Sequence, residues 1–181
     1  RIFATNNATA SNILSKVYAM DRSPPVGDLF QKVCVAGQIQ DSDDHNNVAD
    51  RLFCETADLI ASYFEQKPGY TCTRAIVNPD GVNTGCYWNS SSLLWNSVDR
   101  IGQRVYQHFV SVATAQQRMN ASVNSGIALL QHRDHGYVNG VGWADPQYLY
   151  THVYAFTNGA RRPVVFSINC NSGMYSYGGN N

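Results

Sequence analysis

Leu130-Gln131-His132-Arg133-Asp134-His135-Gly136 and Val164-Val165-Phe166-Ser167-Ile168-Asn169-Cys170-Asn171-Ser172-Gly173 decide how this chain reads. Each is a strand-like apolar run that ends in a reactive side chain, His135 in the first and Cys170 in the second. In an open parallel sheet the carboxyl ends of neighbouring strands face one crevice, and chemistry is placed there. A thiol and an imidazole delivered to that crevice from separate strands are a nucleophile and its base.

Working outward, the remaining pattern alternates helices and strands. Ile13, Leu14, Val17, Tyr18 and Met20 fall at helical spacing over residues 8–20, and Ser23-Pro24-Pro25 ends that helix. Residues 32–37 form a short apolar run that reads as a buried strand. Leu52, Phe53, Thr56, Leu59, Ile60, Tyr63 and Phe64 mark the apolar stripe of a second helix, stopped by Lys67-Pro68-Gly69. Residues 70–77 read as a second strand. Asn78-Pro79-Asp80-Gly81 is a turn, Gly85 to Ser92 reads as a loop insertion, and residues 93–109 read as a weakly patterned helix. Val112, Ala115, Met119 and Val123 predict a helix closed at Gly126. Strands follow at 127–132 and 163–169, with a helix around 147–157 between them. This order argues for a parallel sheet with helices on both faces.

Composition narrows the function classes. The 181 residues suit one domain with a sizeable core. Formal net charge is +0, from 13 basic and 13 acidic residues, and no basic run exists. Nucleic acid is therefore not expected as a partner. No apolar stretch approaches the ~20 residues of a membrane span. The five cysteines show no zinc-type spacing. Cys34 and Cys54 sit in apolar segments and read as small buried hydrophobes. Cys72 and Cys86 flank the Pro79-Asp80-Gly81 turn, and a bridge between them stays open.

The side chains at the two strand ends have competing readings. Cys170 is followed by a polar, Gly-containing turn, which puts its thiol at the strand end rather than in a core. Gly136 beside His135 leaves room for a substrate backbone and can offer its N–H to an oxyanion. His132 is the rival base, but it lies within the strand and faces the opposite side of the sheet. Asp41-Ser42-Asp43-Asp44 clusters hard oxygen ligands of the calcium type. It lacks the spacing and glycine of an EF-hand, so a solvated loop is expected and a structural calcium ion is the alternative. Ala36-Gly37-Gln38-Ile39 has too few glycines for a phosphate loop.

His135-Gly136, the Gly142-Trp143 pair downstream, the run from Pro163 to Gly173 and the N-terminal Arg1-Ile2-Phe3-Ala4 with its helix resemble the gingipain-type cysteine peptidases of family C25. The resemblance covers residues 1 to about 175, apart from the insertion around 80–108. It implies a caspase-like α/β three-layer sandwich, with a mostly parallel central sheet and helices on both faces. Residues 1–31 would precede the catalytic core, and 32–181 would form the catalytic domain, truncated at its C-terminus. Cys170 would be the nucleophile and His135 the general base. The N–H groups of Gly136 and Cys170 would form the oxyanion hole.

The same resemblance places a carboxylate after the first strand to support the histidine, and the matching position here is the uncharged Gln38. It places an acid for a basic P1 side chain at the start of the following helix, where Asp50 stands; helix N-terminal charge is the ordinary alternative for Asp50. Arg133 and Ile168 would line the same pocket. Peptides or proteins would be the substrates, with further domains of the same polypeptide as other partners. No organic cofactor is implied, and the location would be extracytoplasmic, in a bacterium. Gln38 in place of an acid keeps open a second class, a caspase-fold domain that binds peptides without cleaving them.

Overall fold

The computed structural model describes residue 4 and residues 6–42, 45–83, 85–87, 101–137 and 142–171. Helix α1 (Asn7–Arg22) leads into a 3-10 turn (Asp28–Gln31) and strand β1 (Lys32–Gln38). Helix α2 (Phe53–Glu65), β2 (Thr71–Val77), α3 (Gln103–Tyr106) and β3 (Phe109–Val110) follow. Then come α4 (Val112–Ser125), β4 (Leu129–Arg133), β5 (Gly136–Tyr137), β6 (Gly142–Trp143), α5 (Tyr150–Tyr154) and β7 (Val164–Ile168).

Five strands form one sheet in the order β3-β2-β1-β4-β7, and every neighbouring pair is parallel. The chain builds outward from β1 to β3, then returns to place β4 on the other side of β1. The strand order therefore reverses between β1 and β4, and the crevice beyond their carboxyl ends is where ligands bind in such sheets. Helix α2 packs against β1, β2 and β4, and α4 against β2 and β1 from the opposite face. The result is the three-layer α/β architecture expected from the sequence.

Two apolar clusters fill the layers. Val33, Val35, Ile76, Ala57 and Ala61 centre the α2 side. Cys34, Ala36, Ala75, Met119 and Val123 centre the α4 side. Successive residues of β1 alternate between these clusters, as strand geometry requires. Two side chains cap their helices: Asn6 accepts from the Thr9 N–H at 2.9 Å, and Ser111 from the Thr114 N–H at 3.2 Å. Gly126 ends α4 at φ 81, a backbone region that favours glycine. Arg74 of β2 donates to Asp58 of α2 at 3.1 Å and also pairs with Glu65, tying helix to strand by charge.

Some elements differ from the sequence expectation. The weakly patterned helix over 93–109 is replaced, in its described part, by the short α3 and by β3. Phe109 and Val110 extend the ladder beside Ile76 and Val77, so sheet pairing overrides their helical spacing. The helix expected around 147–157 shortens to α5. Cys72 and Cys86 are both free thiols. Cys72 sits near the amino end of β2 and Cys86 lies beyond its carboxyl end, so no bridge joins them. Helix α1 forms as expected but buries none of its residues, and Val17 and Tyr18 stay exposed.

Gly37 of β1 lies opposite Arg133 of β4. A Cβ there would lie 2.7 Å from the Arg133 carbonyl oxygen, a backbone atom that cannot step aside. Gly37→Ala should therefore cost about 1–3 kcal/mol by forcing the strands apart. The urea midpoint of unfolding should fall accordingly; an unchanged midpoint would show that the two strands separate there freely.

Candidate active site

Three chain segments leave the sheet side by side: after β1, after β4 and after β7. The first carries Gln38 and Gln40, the second Asp134, His135 and Gly136, the third Asn169 and Cys170. Parallel register aligns them, since Gly37 opposes Arg133 and Arg133 opposes Ile168.

Glycine allows the last two segments to touch. A Cβ on Gly136 would overlap the Cys170 carbonyl oxygen and come within 2.9 Å of Asn169 Oδ1. The His135-Gly136 segment and the Cys170 backbone are thus brought together. All five cysteines are described and all are free, and of them Cys170 alone is exposed. Burial pushes the Cys34 and Cys72 thiols up to about 12 and Cys86 up to about 11, and raises Cys54 as well. Those four are poor nucleophiles. Asn171 follows Cys170 at φ 60, a left-handed conformation that asparagine tolerates and that turns the chain sharply.

The imidazole of His135 is held by Gln40, not by Gln38. His135 Nε2 lies 3.0 Å from Gln40 Oε1. Since that oxygen only accepts, Nε2 carries the proton and Nδ1 is the acceptor nitrogen of the neutral ring. The edge of Phe53, at the start of α2, meets the ring at 5.1 Å between centroids. Gln38 is engaged elsewhere: its Nε2 donates to Asp134 Oδ1 at 2.7 Å. Gln38 and Gln40 follow the period of an extended chain, so both approach the same crevice. The parallel β4 segment then meets them in turn, Asp134 at Gln38 and His135 at Gln40.

Asp134 is 2% exposed. Its carboxylate accepts from Gln38 and, at 2.6 Å, from the Asp145 backbone N–H; the His135 backbone also hydrogen-bonds to it. Burial nevertheless outweighs these bonds and pushes the group up to about 6. Asp145 is raised too, by burial first and by Asp80 next, while His135 opposes the shift. A carboxylate therefore stands within electrostatic reach of the imidazole.

His132 is fully buried on the α4 side of the sheet, as alternation along β4 predicts. Burial lowers it to about 3, so it stays neutral. Its Nδ1 receives Asn169 Nδ2 at 2.8 Å, its Nε2 lies 3.3 Å from the Asp145 carbonyl, and its ring stacks on Trp143 at 4.1 Å. Both nitrogens are committed, so it is no base for Cys170.

The remaining candidates sit around this centre. Asp50 donates its N–H to the Gln40 carbonyl at 2.8 Å, and its carboxylate accepts from the Ser42 N–H at 2.8 Å. It is thus beside the segment that holds His135. Arg133 donates to Thr56 Oγ1 of α2 at 2.7 Å, and Ile168 is its register partner on β7, half exposed. Asp41 accepts the backbone N–H groups of Asn46 and Asn47 at 3.1 and 3.0 Å, while Asp43 and Asp44 lie outside the described residues. Among the described residues, no three His, Cys, Asp or Glu side chains gather as a metal site would need.

The carboxyl edge of the parallel sheet thus carries an exposed cysteine on one segment and a hydrogen-bonded histidine on its neighbour, residue types that a cysteine hydrolase uses. The family model described as peptidase family C25 matches residues 1–181, the whole chain. The chain belongs to that family, whose members are cysteine peptidases. Comparisons with curated proteins and with solved structures gave no match.

Gln40, Asp134, Asp145 and Asn169 were not singled out from the sequence. The period-2 step from Gln38 to Gln40 was the one available signal. The others depend on partners too distant in sequence to be read from it.

The buried pair of titratable groups makes stability depend on pH in opposite directions. Asp134 ordinarily titrates near 3.8 and is pushed up to about 6 in the fold, so the native state binds more protons between those values. Its contribution is fully present below about 3.8 and is lost as pH rises through about 6. His132 does the reverse: the unfolded chain takes its proton below about 6.5, so stability is lost as pH falls. In urea unfolding between about pH 4 and 7, wild type minus Asp134→Asn should decline by about 1–3 kcal/mol as pH rises. A flat difference would mean that Asp134 is not carried as a strained carboxylate.

Proposed function

We propose that this chain is a cysteine endopeptidase whose Cys170 and His135 form the catalytic dyad. One observation carries the proposal: Gly136 packs directly on the Cys170 carbonyl, which brings the imidazole's own segment against the one exposed thiol.

The chemistry follows from the tautomer that Gln40 imposes. With Nε2–H donated to Gln40, His135 Nδ1 takes the thiol proton. The thiolate attacks the peptide carbonyl and forms a C–S bond. Gly136 N–H and Cys170 N–H receive the oxyanion. The C–N bond breaks as the imidazolium protonates the leaving amine, and water then hydrolyses the thioester with His135 again as base. Gln40 orients the ring but offers no charge. Asp145, whose carboxylate form His135 favours against burial and Asp80, is the proposed source of the negative charge that Gln40 lacks.

Cleavage after Arg or Lys is the proposed specificity. Asp50 is the acid for the basic side chain, with Arg133 and Ile168 on the neighbouring wall. Asp50 lies next to Gln40 through a backbone hydrogen bond, which supports a pocket adjoining the dyad. Protein and peptide chains would be the substrates and further parts of the same polypeptide the other contacts, in an extracytoplasmic location. No organic cofactor enters this mechanism.

Iodoacetamide labelling at about pH 6, resolved by peptide mass spectrometry, tests the dyad. Cys170 should label at least about tenfold faster than the same residue in urea-unfolded chain, and His135→Ala should remove the excess. Labelling no faster than in the unfolded chain would favour a peptide-binding domain without catalysis. In a protein-cleavage assay Cys170→Ala should abolish turnover, and His135→Ala should lower it by about 10²–10⁴-fold.

Specificity has its own test. On paired peptides that differ only at the residue before the cut, Asp50→Asn should lose the preference for Arg and Lys over Leu. A preference that survives intact would remove Asp50 from the pocket.

A further inference from the structure

The polar chain around His132 runs through the candidate site without belonging to the dyad. Trp143 Nε1–H donates to Ser167 Oγ at 2.7 Å. The Ser167 hydroxyl donates to Asn169 Oδ1 at 3.3 Å. Asn169 Nδ2 donates to His132 Nδ1 at 2.8 Å. His132 Nε2–H, in turn, points at the Asp145 carbonyl at 3.3 Å.

Asn169 Nδ2 also donates to Ser167 Oγ at 3.1 Å, so the Ser167–Asn169 link runs both ways, but the two links at His132 each have one direction. The Asn169 amide nitrogen can only donate and the Asp145 carbonyl can only accept. The ring between them must therefore be neutral, with its proton on Nε2. Burial keeps it in that form by holding His132 down to about 3. The flat stack on Trp143, at an interplanar angle of 3°, fixes the ring plane.

The two ends of this chain are informative. Asn169 immediately precedes Cys170, and its Oδ1 lies against Gly136. Asp145 closes the loop that begins at His135, and its N–H is held by Asp134 at 2.6 Å. The Asp145 residue is thus pinned at its N–H by Asp134 and at its C=O by His132. One imidazole joins the loop of the base to the turn of the nucleophile.

We infer that His132 is a positioning residue that fixes the Cys170 turn against the His135 loop, acting through Asn169 and Asp145. The inference rests on the proposed Cys170–His135 dyad. A core histidine that only filled space would be replaceable by an apolar residue of similar size. This one would not be, because both loops would lose their common anchor.

The discriminating experiment compares His132→Leu with His132→Gln. Leucine fills the volume without polar atoms. Glutamine offers an acceptor oxygen for Asn169 and a donor nitrogen for the Asp145 carbonyl. In folded protein, verified by circular dichroism and a cooperative melt, His132→Leu should slow Cys170 labelling at about pH 6 by tenfold or more. It should lower kcat with KM nearly unchanged, and His132→Gln should recover a substantial part of both. Asn169→Leu, at a half-buried site, should show the same loss, and adding it to His132→Leu should cost little more, since one network is removed only once. The Asn169 variant also carries the test if His132→Leu does not fold.

Fast labelling in folded His132→Leu, beside fast labelling in wild type, would overturn the positioning role and leave the dyad standing. Equal losses in the Leu and Gln variants that track their melting temperatures would overturn it as well. Labelling in wild type no faster than in unfolded chain would instead bring down the dyad itself, and the positioning role with it.

Discussion

The placement of β4 between β1 and β7 is the constraint on which the candidate site depends. Its five residues, Leu129–Arg133, hydrogen-bond in parallel to both neighbours. Parallel pairing leaves all three carboxyl ends on one side of the sheet. No local sequence motif places Gln40, His135 and Cys170 together. They meet because three strands stop at the same edge. Gly37 permits a close approach on one side of β4, and Gly136 permits one just beyond the other. These glycines matter for what they lack, since a methyl at either position would strike backbone.

Holding that edge together requires burying polar groups, and burial carries its own cost. A carboxyl in an apolar interior loses hydration that its hydrogen bonds only partly replace. Asp134 shows this balance directly: three hydrogen bonds act to lower its titration, and burial still raises it. His132 resolves the same problem by staying neutral with both nitrogens engaged. The two groups sit two residues apart, one on β4 and one just past its end, and anchor the same residue, Asp145, from its two ends. Loops that leave a sheet are ordinarily mobile. Here the polar groups tether them from below, which is the kind of support that keeps reacting groups aligned.

The strands were legible because their residues carry the signal locally. Runs such as 32–38 and 164–168 are apolar and end at polar turns, and Gly126 stops α4 where its conformation demands it. Alternation along β4 also correctly separated His132 from His135. What escaped the sequence was long-range pairing. Gln38 stood as the histidine's partner because the family resemblance places a carboxylate at that position, yet its amide meets Asp134, 96 residues away in sequence. Asp134 drew no reading from the sequence, since aspartate is rarely buried unless paired. Its partners became visible only when the sheet aligned β1 with β4. Strand β3 was missed for a related reason: two residues are too few to show a period, and the ladder with β2 decides their conformation.

The sheet also leaves apolar surface uncovered. Val164, Val165, Phe166 and Ile168 of β7 are each about half exposed, and Val17 and Tyr18 of α1 likewise. Strand β7 is the edge strand of the described sheet, so its outer N–H and C=O groups are unpaired by any strand among the described residues. Such an edge is a template for another strand. It is also the strand that delivers Cys170. In the proposed mechanism the nucleophile therefore follows an edge strand of the sheet. Ser167 and Asn169 face inward to Trp143 and His132, while the apolar side chains beside them remain exposed. The polar network thus joins the β4–β7 ladder in attaching the Cys170 turn to the body of the protein. In the proposed positioning role, a single buried imidazole acts on the thiol through that attachment, by way of Asn169.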